Sequence, residues 1–263
     1  MTIQFSRIEA CHAHRIRCVK MSLPGLCRVN HGTKRVVVGK EEVAITAGQW
    51  LLLPPHIPLE IENIPGPQGY SASVLGFPQS LLSDFRRAFA QHLPAPVPAT
   101  CLAHWRVPPD PQRDAAWERL SCSLAASDAP VLQHHRLNEV LLMLGLAGLL
   151  SPLLNLADAG LSERIKQLIL SDLAGEWSQA RVAAHCCMSA PTLRRHLAAE
   201  GHTFRVILED ARMAQALHYV QSTQRPIEAI AQACGYASPS RFAVRFRTRF
   251  GLSPRSLRKA MQR

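Results

Sequence analysis

The chain has 263 residues, enough for two domains, and 47% of them are hydrophobic, which excludes disorder as its main state. The formal net charge is +11 and it is unevenly placed: from residue 161 onward 16 Lys+Arg stand against 7 Asp+Glu, whereas residues 1–160 hold 14 against 12. That asymmetry points to a polyanionic partner for the carboxy-terminal part alone.

In chain order, the opening MTIQFSRIEACHAHR has no apolar run of signal-peptide type, and the eight cysteines include no CxxC pair. Both features fit a reducing cytoplasm. Cys11, His12, His14, Cys18, Cys27 and His31 are soft donors, and His12 and His14 would share one face of a strand. Their spacing matches no zinc signature. Metal or thiol sensing stands there beside the simpler alternative, buried cysteines and surface histidines in an all-β domain. Residues 36–38, 43–45, 50–53 and 59–61 are short apolar or β-branched runs separated by Gly39-Lys40, Ala47-Gly48 and Pro54-Pro55, which predicts a small all-β unit.

Helices are predicted over residues 79–92 and 114–127, with the Pro-rich LPAPVPAT as an irregular connector between them. A further helix is predicted over residues 131–150. In it Leu137, Val140, Leu141 and Leu144 recur at i, i+3, i+4 and i+7, an apolar face assigned here to a homodimer contact, the alternative being a helix packed on its own domain. Residues 140–157 form an uncharged run of 18, the lower edge of a membrane span. Ser151-Pro152 and Asn155 interrupt it, so no membrane association is expected.

The carboxy-terminal part repeats one plan twice. In ARVAAHCCMSAPTLRRHLAAEG (from Ala180), Val182-Ala183 and Cys186 precede a turn; Ser189 is an N-cap, and Leu193 and Leu197 form a packed stripe. In PIEAIAQACGYASPSRFAVRFRTRF (from Pro226), Ile230-Ala231, Cys234, Ser238, Phe242 and Phe246 take the same places. The offset is 48 residues before the turn and 49 after it, as in two tandem helix-turn-helix units at about residues 178–201 and 226–250. Between them, residues 203–221 place Phe204, Ile207, Leu208, Ala211, Ala214 and Leu217 at helical spacing without Gly or Pro. One helix of that length spans about 28 Å, close to the roughly 34 Å between successive major grooves.

Opposite the packed stripes lie Pro191, Thr192 and Arg195 in the first unit and Ser240, Arg241, Val244, Arg247 and Thr248 in the second, with Arg194, His196 and Arg245 on the flanks. Arginine forks suit guanine, Ser and Thr are adaptable, and Val244 suits a thymine methyl. Double-stranded DNA is the predicted partner, and Pro191, Thr192, Arg194, Arg195, Ser238, Ser240, Arg241, Val244, Arg245 and Arg247 are the candidate contacts.

Residues from about 162 to 261 resemble the DNA-binding domain of the AraC/XylS family of bacterial transcription regulators. The resemblance is carried by Ile230-Ala231, Gly235-Tyr236, Ser238, Ser240, Phe242, Phe246, Gly251, Ser253-Pro254 and Arg258, with Leu193, Gly201 and Phe204 in the first unit. It implies seven helices, with residues 189–200 and 238–249 as recognition helices and residues 161–174 and 253–261 as outer supports. Val244 stands where many members carry arginine, so base preference does not transfer there. The stretch AGQWLLLPPHIPLEIEN is similar to the Gly-to-Pro strand pair of the cupin-like barrel that precedes this domain in the family. His56 lies where metal-binding cupins begin their ligand set, but HIPLEIEN lacks the following histidines, so neither a metal, a cofactor nor an enzyme is expected.

The implied fold class is α+β, with a cupin-like sensing domain (1–130), a central apolar helix and linker (131–160) and an all-α DNA-binding domain (161–263). The implied function is sequence-specific activation or repression of promoters, with RNA polymerase, a small-molecule or protein effector and a second copy of the chain as further partners. The alternatives are an architectural DNA-binding protein without signal response and a cupin-type metalloenzyme with a DNA-binding module.

Overall fold

Alternating apolar and polar residues build the first unit from strands. In the computed structural model, which describes residues 3–94, 101–154 and 160–262, these are β1 (Gln4–Ala10), β2 (His14–Lys20), β3 (Gly25–His31), β4 (Thr33–Val38), β5 (Glu41–Thr46), β6 (Trp50–Leu53), β7 (Pro58–Ile64), β8 (Tyr70–Gly76) and β9 (Arg106–Val107). They pair antiparallel in two sheets, ordered β1-β8-β3-β6-β9 and β2-β7-β4-β5. The two-residue turn Gly39-Lys40 joins β4 to β5, and Gly39 takes the positive φ of 60° that such a hairpin asks of its first turn residue. Val29, Val36, Ile45, Leu51 and Ala72 are fully buried in the β-rich core.

Helices α1 (Gln79–Phe89), α2 (Pro111–Ala125), α3 (Pro130–Leu146) and α4 (Ser151–Leu154) complete this unit. Helix α2 starts three residues earlier than its apolar pattern, because Asp110 caps it by accepting from Arg113 N at 2.9 Å and Pro111 fits the first turn. It is strapped to the five-stranded sheet. Trp117 lies 4.9 Å from Trp50, whose indole N–H donates to Asp114 Oδ1 at 3.0 Å, and Arg28 reaches Asp114 at 3.3 Å and Glu118 at 3.0 Å.

Three expectations change here. Leu137, Val140, Leu141 and Leu144 on α3 are each at most 1% exposed within the chain itself. Helix α3 packs on α2 and α1, so this stripe belongs to the domain core and is not open to a second copy. The helix is thus part of the first unit, which extends to about residue 156, and not a separate body. His12 does not share a strand face with His14: Cys11 and His12 lie in the β1–β2 turn, and His14 is buried at the start of β2.

The uncharged run of 140–157 is divided between α3 and α4, and no helix among the described residues is long and apolar enough to cross a membrane. Its end, like most of LPAPVPAT, lies outside the described residues.

The second unit contains α5 (Leu161–Ser171), α6 (Gln179–His185), α7 (Ala190–Ala199), α8 (Phe204–Ser222), α9 (Ile227–Ala233), α10 (Pro239–Phe250) and, as far as Lys259, α11 (Pro254–Met261). Ser178, Ser189, Thr203, Ser238 and Ser253 each accept from the backbone N–H three residues on, so five of these helices start at a hydroxyl cap. Helix α8 runs for 19 residues and buries Ile207, Ala211, Met213, Ala216, Leu217 and Val220. That set is wider than one stripe, as a helix packed by both α5 and α9 requires.

Candidate nucleic-acid interface

Each helix-turn-helix pair closes on its own small core. Val182 and Ala183 of α6 are buried with Leu193 and Leu197 of α7; Ile230, Ala231 and Cys234 are buried with Phe242, Phe246 and Phe250 of α9 and α10. The three phenylalanines form a ladder with centroid separations of 5.7 and 4.6 Å, and Phe250 extends the two-residue anchor read from sequence. Burial pushes the Cys234 thiol up to about 12, which makes it a packing residue and not a nucleophile.

The turns superimpose in their bonding. Cys187 N and Met188 N donate to Ala184 O and Ala183 O; Gly235 N and Tyr236 N donate to Gln232 O and Ala231 O. Both turns pass through the left-handed region, at Cys187 (φ 54°) and Gly235 (φ 75°). The one-residue slip in the repeat therefore falls after the turn, where Ala237 is inserted before the second cap.

The reading faces are exposed as spacing predicts. Pro191, Arg194 and Arg195 on α7, and Ser240, Arg241, Val244, Arg247 and Thr248 on α10, are exposed. Val244 stands 65% exposed, a large apolar side chain left bare beside arginines. Arg194, Arg195, Arg241 and Arg247 form no ion pair among the described residues, whereas Arg181, Arg245, Arg249 and Arg255 of the same unit each pair with a carboxylate. This separates exposed cations with no carboxylate partner among the described residues from those that hold the fold.

Three predicted contacts are already engaged. Arg245 is paired with Glu209 of α8. The Ser238 hydroxyl accepts from Arg241 N at 3.3 Å. Thr192 is half-buried, with Oγ1 2.9 Å from the Ser189 hydroxyl. Arg164 and Arg205 are exposed and also form no ion pair among the described residues; neither lies on a reading helix, so helix-face reasoning did not reach them.

In the first unit, a groove of about 560 Å³ opens between the five-stranded sheet and α2, lined by Arg7, Arg28, Asn30, Ser73, Trp117 and Glu118 among others. Arg7, Ser73 and Arg28 are register partners across β1, β8 and β3, so two guanidinium groups flank one hydroxyl along its floor. No group of three or more His, Cys, Asp or Glu among the described residues is arranged to hold a metal ion.

Residues 182–260 match a helix-turn-helix domain model, and residues 25–150 match the AraC-like ligand binding domain. The transcriptional regulator SirC of Salmonella typhimurium (strain SL1344) is 40% identical over 99 residues, which is 38% of this chain and 34% of SirC. The HTH-type transcriptional regulator GadX of Escherichia coli (strain K12) is 32% identical over 102 residues, 39% of this chain and 37% of GadX. The matched stretch thus spans about a third of the length of each of these relatives. The HTH-type transcriptional regulator YdeO of Shigella flexneri matches more widely, at 28% over 192 residues, 70% of this chain and 72% of YdeO. The crystal structure of ToxT from Vibrio cholerae O395 has the same fold, with a TM-score of 0.67 at 13% identity over 99% of this chain and 98% of ToxT. With each half matched by its own model, the chain belongs to the AraC/XylS family of transcription regulators.

Proposed function

We propose that this chain is a sequence-specific DNA-binding transcription regulator whose helices α7 and α10 enter two successive major grooves on one face of the duplex. The observation that carries this reading is the pair of exposed faces bearing Arg194, Arg195, Arg241 and Arg247, none with an ion pair among the described residues, at the two ends of a duplicated unit joined by a 19-residue helix. The family match supports a small-molecule effector for the first unit, and the groove under α2 offers it a space. RNA polymerase is the further partner through which promoter binding acts. Eight free cysteines, three of them exposed, suit the reducing cytoplasm.

Dimerisation passes to a second face of α3. Val131, Leu142 and Leu146 share that face at i, i+11 and i+15, with His135 and Asn138 between them. Val131 is 76% and Leu146 58% exposed, while Leu142 and Asn138 are half-buried. A second copy covering this outer face gives two tandem readers on one operator, raising the effective concentration of the second reader.

The test is a footprint of the full-length protein on a site enriched from random DNA. Protection over two successive major grooves on one face is expected, with affinity falling on the order of a thousandfold between 50 and 200 mM salt if about six phosphates are neutralised. Binding of comparable salt dependence but without sequence preference would favour the architectural alternative.

A further inference from the structure

We propose that Arg212 is the positioning residue that sets the phase between the two reading helices, and so decides which spacing of half-sites the protein accepts; this rests on the two-groove reading above. Arg212 projects from α8, the helix that lies between the two helix-turn-helix pairs. Its Nε donates to Leu173 O at 3.3 Å and its Nη2 to Gly175 O at 3.0 Å, both in the loop that leads from α5 into the first helix-turn-helix. The same guanidinium lies 5.9 Å from the centroid of Tyr236, in the turn of the second helix-turn-helix, and Tyr236 in turn lies 5.3 Å from Phe242 at the base of α10. One side chain therefore touches the entry of one reader and the turn of the other.

The geometry calls for a fork. Two carbonyls and an aromatic face are met at once by a planar guanidinium, which a lysine ammonium on a flexible stem does not reproduce. Helix α10 is separately tied to α8 through Arg245 with Glu209 and Arg249 with Asp210, the latter at 2.6 Å. The second reader is thus held to α8 by ion pairs, and the entry loop of the first is held to α8 by Arg212.

The duplication supplies an internal comparison. Both turns are left-handed at their matching position, yet the first carries Cys187 there, with an exposed side chain, and the second carries Gly235. A Cβ at Gly235 would come within 2.5 Å of Arg212 Nη2 and 2.6 Å of its Cζ. Backbone conformation alone disfavours a side chain at both sites, but at the second the guanidinium already occupies the space. At that turn the left-handed backbone and the Arg212 contact both favour glycine.

The test measures full-length protein on the enriched site and on versions with one or two base pairs inserted between the half-sites, each turning one half-site by about 35°. Wild type is expected to lose about tenfold or more in affinity per inserted pair, because a rigid frame cannot follow the rotation. Arg212→Ala should bind the native spacing about three- to tenfold more weakly, while its loss on insertion shrinks to within about threefold and base preference inside each half-site is unchanged. Arg212→Lys should behave the same in spacing while keeping the wild-type salt slope, and Gly235→Ala, which displaces the guanidinium, should widen the accepted spacing too. Native helicity and cooperative melting identify the folded variants; if Arg212→Ala does not fold, Arg212→Lys decides. Folded variants that keep the wild-type spacing penalty would overturn the assignment. A wild type indifferent to spacing would instead refute the two-groove reading.

Discussion

Lys34, buried inside the β-sandwich, forms no ion pair among the described residues and donates to Asn63 Oδ1 at 2.7 Å. That bond orients the Asn63 amide, leaving Nδ2 to donate to His14 Nε2 at 3.1 Å, so His14 is the neutral tautomer whose Nδ1–H donates to His12 O at 3.0 Å. Protonating His14 would set an N–H against the Asn63 amide hydrogens. Burial holds its pKa below the ordinary histidine value, opposed by the His12 bond and helped by the charge of Lys34. The unfolded chain therefore binds the proton more readily: the stabilising effect of a neutral His14 is complete above about pH 6.5 and is lost as pH falls below that value toward the folded pKa. Urea unfolding followed by tryptophan fluorescence should show the midpoint of the first unit falling between pH 7 and 5, and His14→Gln should flatten that slope. At the same scale, Arg195→Ala and Arg241→Ala should each relax one base position at about 1–3 kcal/mol. Binding-site selection checks this, and an unaltered motif for Arg241→Ala would move the reading face elsewhere on α10.

Elements differed in how openly they were written. The two helix-turn-helix units were legible because each combines a serine cap, a 3.6-residue apolar stripe and a turn within about 25 residues, all local signals. Strands β1, β2, β3 and β8 were not: β2 (HRIRCVK) interleaves charges with its apolar positions, and β8 (YSASVLG) is a buried strand with two serines and an alanine. Their assignment as strands depends on pairing partners, β2 with β7 and β8 with both β1 and β3, that lie far away in sequence. The turn of the first helix-turn-helix leads to a stability prediction. Cys187→Gly should relieve left-handed strain of about 1 kcal/mol, offset by a few tenths for the added freedom of the unfolded chain. Urea denaturation of the second unit should show a higher midpoint, and an unchanged or lower one would mean the Cys187 side chain makes a compensating contact.

At the scale of the whole molecule, the outer face of α3 predicts a dimer that Leu142→Asp with Leu146→Asp converts to monomer in sedimentation, leaving the first unit folded. Leu141→Asp should instead unfold that unit, since Leu141 is fully buried within it. If the double variant sediments like wild type, the copies meet elsewhere. This contrast marks the boundary between sequence and structure. Sequence by itself determined the duplicated helix-turn-helix, the charge concentrated around it, the linker helix and which residues of α7 and α10 face outward, because caps, turns and amphipathic stripes act over a few residues. Tertiary structure alone decided that the clearest apolar stripe of α3 is core, that Arg245 and the Ser238 hydroxyl are engaged, that His14 is buried in a hydrogen-bonded network, and that Arg212 joins the two readers. Each of those depends on which distant residue fills the space opposite, and periodicity carries no information about that partner.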